Sequence, residues 1–86
     1  MAIVTGQITA TTSAAAIGTS SPNPFTLVLH NESATNDIYL GNSAVTSTTG
    51  FSLHSNSTIS LPMTAGDQLY AITGTGSHLI SWMKIY

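Results

Sequence analysis

A two-residue alternation of apolar side chains is the feature that most constrains this chain. It is clearest at the start of the stretch Phe25–Gly41, where Phe25, Leu27 and Leu29 are separated by single residues. This spacing places the three side chains on one face of an extended strand. The alternation resumes at Asp37-Ile38-Tyr39-Leu40 after a connection rich in Asn, Ser, Ala and Thr, so the stretch predicts a β-hairpin.

Short runs of the same kind recur along the 86 residues, separated by Gly, Pro, Asn and Ser and without helical periodicity. Besides the two strands of the predicted hairpin, the pattern predicts a strand or extended arm over Ala2–Thr12 and short strands over 14–17, 44–46, 51–53, 57–61, 68–73 and 78–85. Closely spaced strands of this kind are typical of an antiparallel sandwich. We therefore predict an all-β fold: one domain over residues 1–86, a small antiparallel sandwich or jelly roll of about eight short strands, with its core in 25–86 and an extended N-terminal arm in 1–12.

The small size of the chain predicts association with other molecules. A domain of this length buries only about 60–65% of the surface that its unfolded chain exposes, which leaves little net stability. The sequence has no cysteine, so disulfides cannot add to it. We expect the chain to bind copies of itself or a larger partner.

Charge is scarce and excludes two classes of partner. Lys84 is the only lysine or arginine, and the acidic residues are Glu32, Asp37 and Asp67. Binding to nucleic acid needs basic side chains that displace counterions from phosphates, and binding to anionic membranes needs them too, so we expect neither partner. No apolar run approaches the roughly 20 residues of a spanning helix. The N-terminus has no basic segment before its short apolar stretch, which favours synthesis in the cytoplasm over secretion.

The final strand is apolar on both faces. Ile80 and Trp82 alternate onto one face, and Met83 and Ile85 onto the other. One apolar face is enough for a core, so the second is predicted to pack against another subunit or an assembly, unless a terminal arm covers it. The residues predicted to bind a partner belong to this strand and to the N-terminal segment: Ile3, Val4, Ile8, Ile80, Trp82, Met83, Ile85 and Tyr86.

No set of residues indicates catalysis, a metal site or a cofactor. His30, His54 and His78 are evenly spaced, but there is no His-x-His pair, so polar strand ends are favoured over metal ligands. No Gly-x-Ser-x-Gly elbow supports a serine hydrolase, and three acids are too few to indicate a glycosidase. We predict that the protein is not an enzyme. The aromatic residues Trp82, Tyr39, Tyr70 and Tyr86 suggest a sugar-binding platform as an alternative, although burial in the core or an interface is favoured.

From Phe25 onwards, the chain has a series of strands and turns in a fixed order: Leu27-Val28-Leu29-His30-Asn31, Ile38-Tyr39-Leu40-Gly41, Ala44–Leu53, Ser57–Leu61, Gly66-Asp67-Gln68-Leu69-Tyr70-Ala71-Ile72, Gly74-Thr75-Gly76 and Ile80-Ser81-Trp82. This order of segments resembles a family of small jelly-roll-like virion proteins of tailed phages. It implies a structural virion protein, a head decoration or minor capsid protein that binds the major capsid protein on the outer capsid surface, usually as a homotrimer. Related modules occur at the tips of head or tail fibres, which gives glycan or receptor binding as the alternative function.

The N-terminal segment is the part of the chain that we expect to reach a neighbour. Residues Ala2–Thr12 could add to a sheet edge of another molecule, so that backbone hydrogen bonds replace the missing side-chain charges. A symmetric oligomer that binds only the assembled shell would stabilise that shell in proportion to its occupancy.

Overall fold

The computed structural model describes residues 2–17 and 22–86. These residues form eight strands: β1 Ile3–Ala10, β2 Ala15–Ala16, β3 Phe25–Asn31, β4 Ile38–Gly41, β5 Phe51–Leu53, β6 Thr58–Met63, β7 Tyr70–Thr73 and β8 His78–Ile85. The same residues contain no helix, and therefore none that is long and apolar enough to cross a membrane.

The strands form two antiparallel sheets of four strands each. Sheet A has the order β1-β8-β3-β6, and sheet B has the order β2-β7-β4-β5. Apart from β4 and β5, strands that neighbour each other in space are distant in sequence, and successive strands mostly alternate between the sheets, which is the connectivity of a jelly roll. The predicted small all-β sandwich of about eight strands is confirmed.

The core lies between the sheets and is built by the alternation seen in the sequence. Leu27, Leu29 and Ile80 from sheet A face Ile38 and Leu40 from sheet B, and all five are buried. Partly buried inner-face side chains of sheet A, including Ile59 and Leu61 from β6 and Trp82 from β8, pack against this cluster. The period-two pattern therefore does identify the buried face of each main strand.

The prediction of a β-hairpin over Phe25–Gly41 is wrong. β3 pairs with β6 and β8 in sheet A, whereas β4 pairs with β5 and β7 in sheet B, so the connection crosses from one sheet to the other. The side chain of Asn31, fully buried, organises this crossing. Its Nδ2 donates to the carbonyl oxygens of Asn36 and Leu53, both at 2.9 Å, and its Oδ1 accepts from the backbone N–H of Ser33 at 2.9 Å.

The predicted strand over Ala44–Thr46 is also wrong, because residues 42–50 form successive turns. The N–H of Val45 donates to the carbonyl of Asn42 at 3.0 Å, and the N–H of Gly50 donates to that of Thr46 at 2.9 Å. Val45 is buried against Gly41, where an added Cβ would lie 2.8 Å from its Cγ2. Its apolar character reflects packing of this loop onto sheet B.

Of the two forms predicted for the N-terminal segment, strand or arm, the structure has the strand. β1 pairs with β8 over its whole length, from Ile3 opposite Ile85 to Ala10 opposite His78. It is an edge strand of sheet A, with no strand on its other side within the described residues.

Candidate binding surface

The outer face of sheet A is the surface that faces away from the core. Residues directly opposite each other in neighbouring strands share a face, so the pairing register assigns this surface. It consists of Ile3, Thr5, Gln7 and Thr9 from β1, Leu79, Ser81, Met83 and Ile85 from β8, Thr26, Val28 and His30 from β3, and Thr58, Ser60 and Pro62 from β6.

One half of this outer face is apolar. Ile3 of β1 lies opposite Ile85 of β8. On the other side of β8, Met83 lies opposite Val28 of β3. Ile3 is 60% exposed, and the other three are partly buried by their neighbours. Together with Pro62 at the margin they form the apolar half, which extends across all four strands of the sheet.

The other half carries a hydrogen-bonded polar network. His30 Nδ1 lies 2.8 Å from Thr58 Oγ1, and its Nε2 lies 3.6 Å from Glu32 Oε1. The same Glu32 oxygen accepts a hydrogen bond from Ser81 Oγ at 3.0 Å, and Gln7 Nε2 donates to Ser81 Oγ at 3.3 Å. The serine hydroxyl contacts the carboxylate and not the imidazole, so this arrangement is not a hydrolytic triad. It links β6, β3, β8 and β1 side by side.

A shallow groove of about 390 Å³ lies where the two halves meet. It is lined by Thr5, Gly6, Gln7, Val28, His30, Ser81, Trp82 and Met83. Trp82 and Met83 were among the binding residues predicted from the sequence, whereas the polar members of the network were not. The alternation does place Gln7 and Ser81 on an outward face, but only the strand order brings them beside His30 and Glu32.

Seven of the eight predicted binding residues separate into two groups. Ile3, Met83 and Ile85 lie on the outer face of sheet A, as the two-faced final strand suggested. Val4, Ile8, Ile80 and Trp82 lie on the inner face by register. Ile80 is 0% exposed and presents no surface to another molecule, so its prediction as a binding residue is wrong: it belongs to the core.

Trp82 and Tyr86 have structural contacts of their own. The Trp82 ring covers Gly6, where an added Cβ would lie 2.6 Å from Cζ2. Tyr86 exchanges two backbone hydrogen bonds with Ala2, and its ring centroid lies 5.3 Å from Lys84 Nζ. Trp82 therefore packs on the inner side of sheet A against Gly6, and Tyr86 extends the pairing of β1 with β8 by one residue, to Ala2.

The three histidines lie in different surroundings. His30 belongs to the polar network, His54 Nδ1 lies 3.2 Å from Asp37 Oδ2, and His78 Nε2 lies 3.0 Å from the carbonyl oxygen of Thr75. Within residues 2–17 and 22–86, no three His, Cys, Asp or Glu side chains are grouped so as to hold a metal ion.

The aromatic residues do not form one platform. Tyr39 and Tyr70 lie on the outer face of sheet B by register, away from Trp82 on the inner face of sheet A. Tyr39 lines a separate polar cavity of about 330 Å³ with Thr35, Asn36, Asp37, Gly74 and Thr75.

A third cavity, of about 260 Å³, opens between the sheets near the β5 and β6 edges. Its lining is apolar and includes Phe51, which is 63% exposed. The sequence pattern assigned Phe51 to a strand and did not indicate its exposure.

Asp67 has a local structural role. Its Oδ2 accepts hydrogen bonds from Thr64 Oγ1 at 2.6 Å and from the Thr64 N–H at 3.0 Å. These two bonds lower the pKa of the Asp67 carboxyl below its usual range. They close the turn that contains Gly66, whose φ of 82° favours glycine.

Comparison with protein-family models, with curated proteins and with solved structures found no match to this chain.

Proposed function

We propose that this protein is a structural virion component, a decoration protein that binds the outer surface of a phage capsid as a symmetric oligomer and stabilises the shell. The observation that carries the proposal is the apolar half of the outer face of sheet A. The connectivity supports it by analogy, because jelly rolls are common among viral capsid and lectin domains.

The apolar half suits a contact whose affinity comes from the burial of apolar side chains. Burying a fully exposed isoleucine side chain contributes about 1.5–3 kcal/mol, so the 60% exposed Ile3 would contribute about 1–2 kcal/mol. Val28, Met83 and Ile85 add smaller amounts because they are already partly buried. Many copies of such a modest contact raise shell stability through occupancy of the assembled state.

The low charge of the chain fits the same mode of binding. With a formal net charge of −2 and one lysine, the protein contributes few charges to an interface. Apolar burial and backbone hydrogen bonds would then supply the affinity for the major capsid protein, with little dependence on salt.

Cryo-electron microscopy of particles purified from cells that produce the chain tests the proposal. The protein should appear on the outer capsid surface at the joints between capsomers. Its absence from particles would contradict the proposal, and a position at a fibre tip would favour the alternative function.

A variant tests which face docks. Met83→Asp places a charge in the middle of the apolar half, on the central strand β8. It should lower the occupancy of the protein on particles at least about tenfold, because burying an unpaired carboxylate costs several kcal/mol. Ser52→Asp adds the same charge to the outer face of sheet B and should leave occupancy unchanged. Equal loss in both folded variants would contradict docking through sheet A.

The polar cavity beside Tyr39 supports a second candidate function, glycan binding by a fibre-tip module. An aromatic ring next to Asn36 and Asp37 offers the stacking surface and polar groups that sugars need. If this function is correct, a glycan array should give saturable binding that Tyr39→Ala abolishes and Tyr70→Ala, on the same face but outside the cavity, retains. Array binding that both variants keep would exclude this cavity.

A further inference from the structure

Among residues 2–17 and 22–86, the two sheets have four edge strands, and one of these four lacks protection. Exposed edges present unpaired backbone groups, which proteins block with short strands, proline or charge. β2 has two residues, β5 has three, and β6 carries Pro62. β1 has eight residues, IVTGQITA, with neither charge nor proline, and its register with β8 is uninterrupted.

The backbone groups on the open side of β1 can be assigned from the pairing at its start. Ala2 and Tyr86 exchange both backbone hydrogen bonds, and bonded and non-bonded pairs alternate along an antiparallel ladder. Even-numbered residues of β1 therefore bond to β8. The residues that direct their N–H and C=O groups to the open side are Ile3, Thr5, Gln7 and Thr9.

The opposite edge of sheet A, strand β6, is blocked by a proline. Asn31 donates its N–H to the carbonyl of Ser57, which places the odd-numbered residues of β6 against β3. Pro62 is even-numbered, so the N–H that it lacks would have faced the open side of β6. One edge of sheet A is thus interrupted by proline, whereas the other is continuous.

We propose that the open edge of β1 is a self-association surface to which a second copy of this chain adds its own β1, antiparallel, across a twofold axis at Gly6. In this register Thr5 lies opposite Gln7 of the second copy, and Ile3 lies opposite Thr9. Both backbone groups of all four outward residues are then bonded. The two four-stranded A sheets become one continuous sheet.

The side chains of β1 are complementary to themselves in this arrangement. On the inner face, Val4, which is 38% exposed, meets Ile8 of the second copy, while Gly6 meets Gly6. On the outer face, the Thr5 hydroxyl meets the Gln7 amide, and Ile3 lies beside Thr9. No like charges are brought together, because β1 carries none. These features identify a second copy as the occupant of the edge.

The proposal concerns the free protein and does not depend on capsid binding. An isologous contact of this kind closes at two copies, so it competes with the trimer that the family resemblance implies. The mass in solution decides between them. Loss of self-association and loss of capsid docking are separate measurements, on β1 and on Met83 respectively.

The test uses proline at matched positions on the two edges of sheet A. Thr5→Pro removes an N–H from the open side of β1 without removing a bond to β8, and Ser60→Pro makes the same change on the open side of β6. Light scattering and sedimentation should give wild type and Ser60→Pro twice the 8.9 kDa monomer mass. Thr5→Pro should raise the dimer dissociation constant at least about tenfold.

Two further measurements keep the proposal falsifiable. Hydrogen exchange should show the amides of Thr5 and Gln7 protected in the dimer and exposed on dilution. If circular dichroism shows that Thr5→Pro does not fold, Thr5→Lys with Ser60→Lys as control replaces the pair. The two introduced lysines lie diagonally across the twofold axis on the same face, so their like charges repel in the dimer. A monomer at all concentrations, a trimer, or a dimer that none of the folded Thr5 variants weakens would overturn the proposal.

Discussion

Replacing Asn31 with alanine should destabilise the protein more than any surface change, because this one side chain holds the crossing between the sheets. The substitution leaves the carbonyl oxygens of Asn36 and Leu53 and the N–H of Ser33 without their 2.9 Å partners. An unsatisfied buried group costs about 1–3 kcal/mol, and partly buried ones cost less, so the three together should cost about 3–5 kcal/mol.

That loss is large relative to the whole stability of the domain. At about 0.05–0.15 kcal/mol per residue, a chain of this length is stable by roughly 4–13 kcal/mol. Since about 1 kcal/mol shifts the Tm of a domain of this size by about 4–8 °C, Asn31→Ala should lower the Tm by more than about 12 °C.

Urea denaturation monitored by Trp82 fluorescence measures the effect, and Asn36→Ala is its matched control. Asn36 contributes its backbone carbonyl to the crossing, while its side chain accepts only an exposed bond from Thr35 Oγ1 at 2.7 Å. The control should therefore cost less than about 0.5 kcal/mol. If Asn31→Ala cost under about 1 kcal/mol, the crossing would not depend on this side chain and the reasoning would be refuted.

Two further predictions concern glycine packing and acid stability. Gly6→Ala places a Cβ 2.6 Å from Trp82 Cζ2, so it should lower the free energy of unfolding by about 1–3 kcal/mol and shift the fluorescence emission of this single tryptophan. Unchanged emission and stability would contradict the close approach. The folded pKa of Asp67 lies below its ordinary value of 3.8, so the unfolded chain binds the proton more readily than the folded protein. The contribution of Asp67 to stability is therefore present above pH 3.8 and is lost as the pH falls through the folded pKa. Asp67→Asn should therefore be less stable than wild type at pH 7 and equal to it in strong acid, and a pH-independent difference would contradict this account.

Most of the strands could be predicted from the sequence because their cause is local. A two-residue period is a property of the extended backbone itself, so Leu27, Leu29, Ile38 and Leu40 could be assigned to a buried face before any partner was known. Val45 shows the limit of this reasoning. Its apolar side chain suggested a strand, but it is buried by a loop that folds back onto Gly41, and apolar character alone does not distinguish the two.

The candidate surface depended on information that no local pattern contains. The outward alternation of Gln7, His30 and Ser81 is visible in the sequence, but residues on β1, β3 and β8 become neighbours only through the order of the strands. For the same reason, the sequence did not show whether residues 3–10 form an edge strand or a free arm. The pairing of β1 with β8 distinguishes the two.

Most of the strands, their buried faces and the scarcity of charge therefore follow from the sequence alone, because backbone geometry and composition set them. Which strands pair is visible only in the folded protein. β3 and β4 read as a hairpin because they follow each other with the right alternation, yet they lie in different sheets. The physical reason is that pairing is chosen by packing across the whole sandwich and by the buried hydrogen bonds of Asn31, whose partners extend to Leu53, 22 residues away.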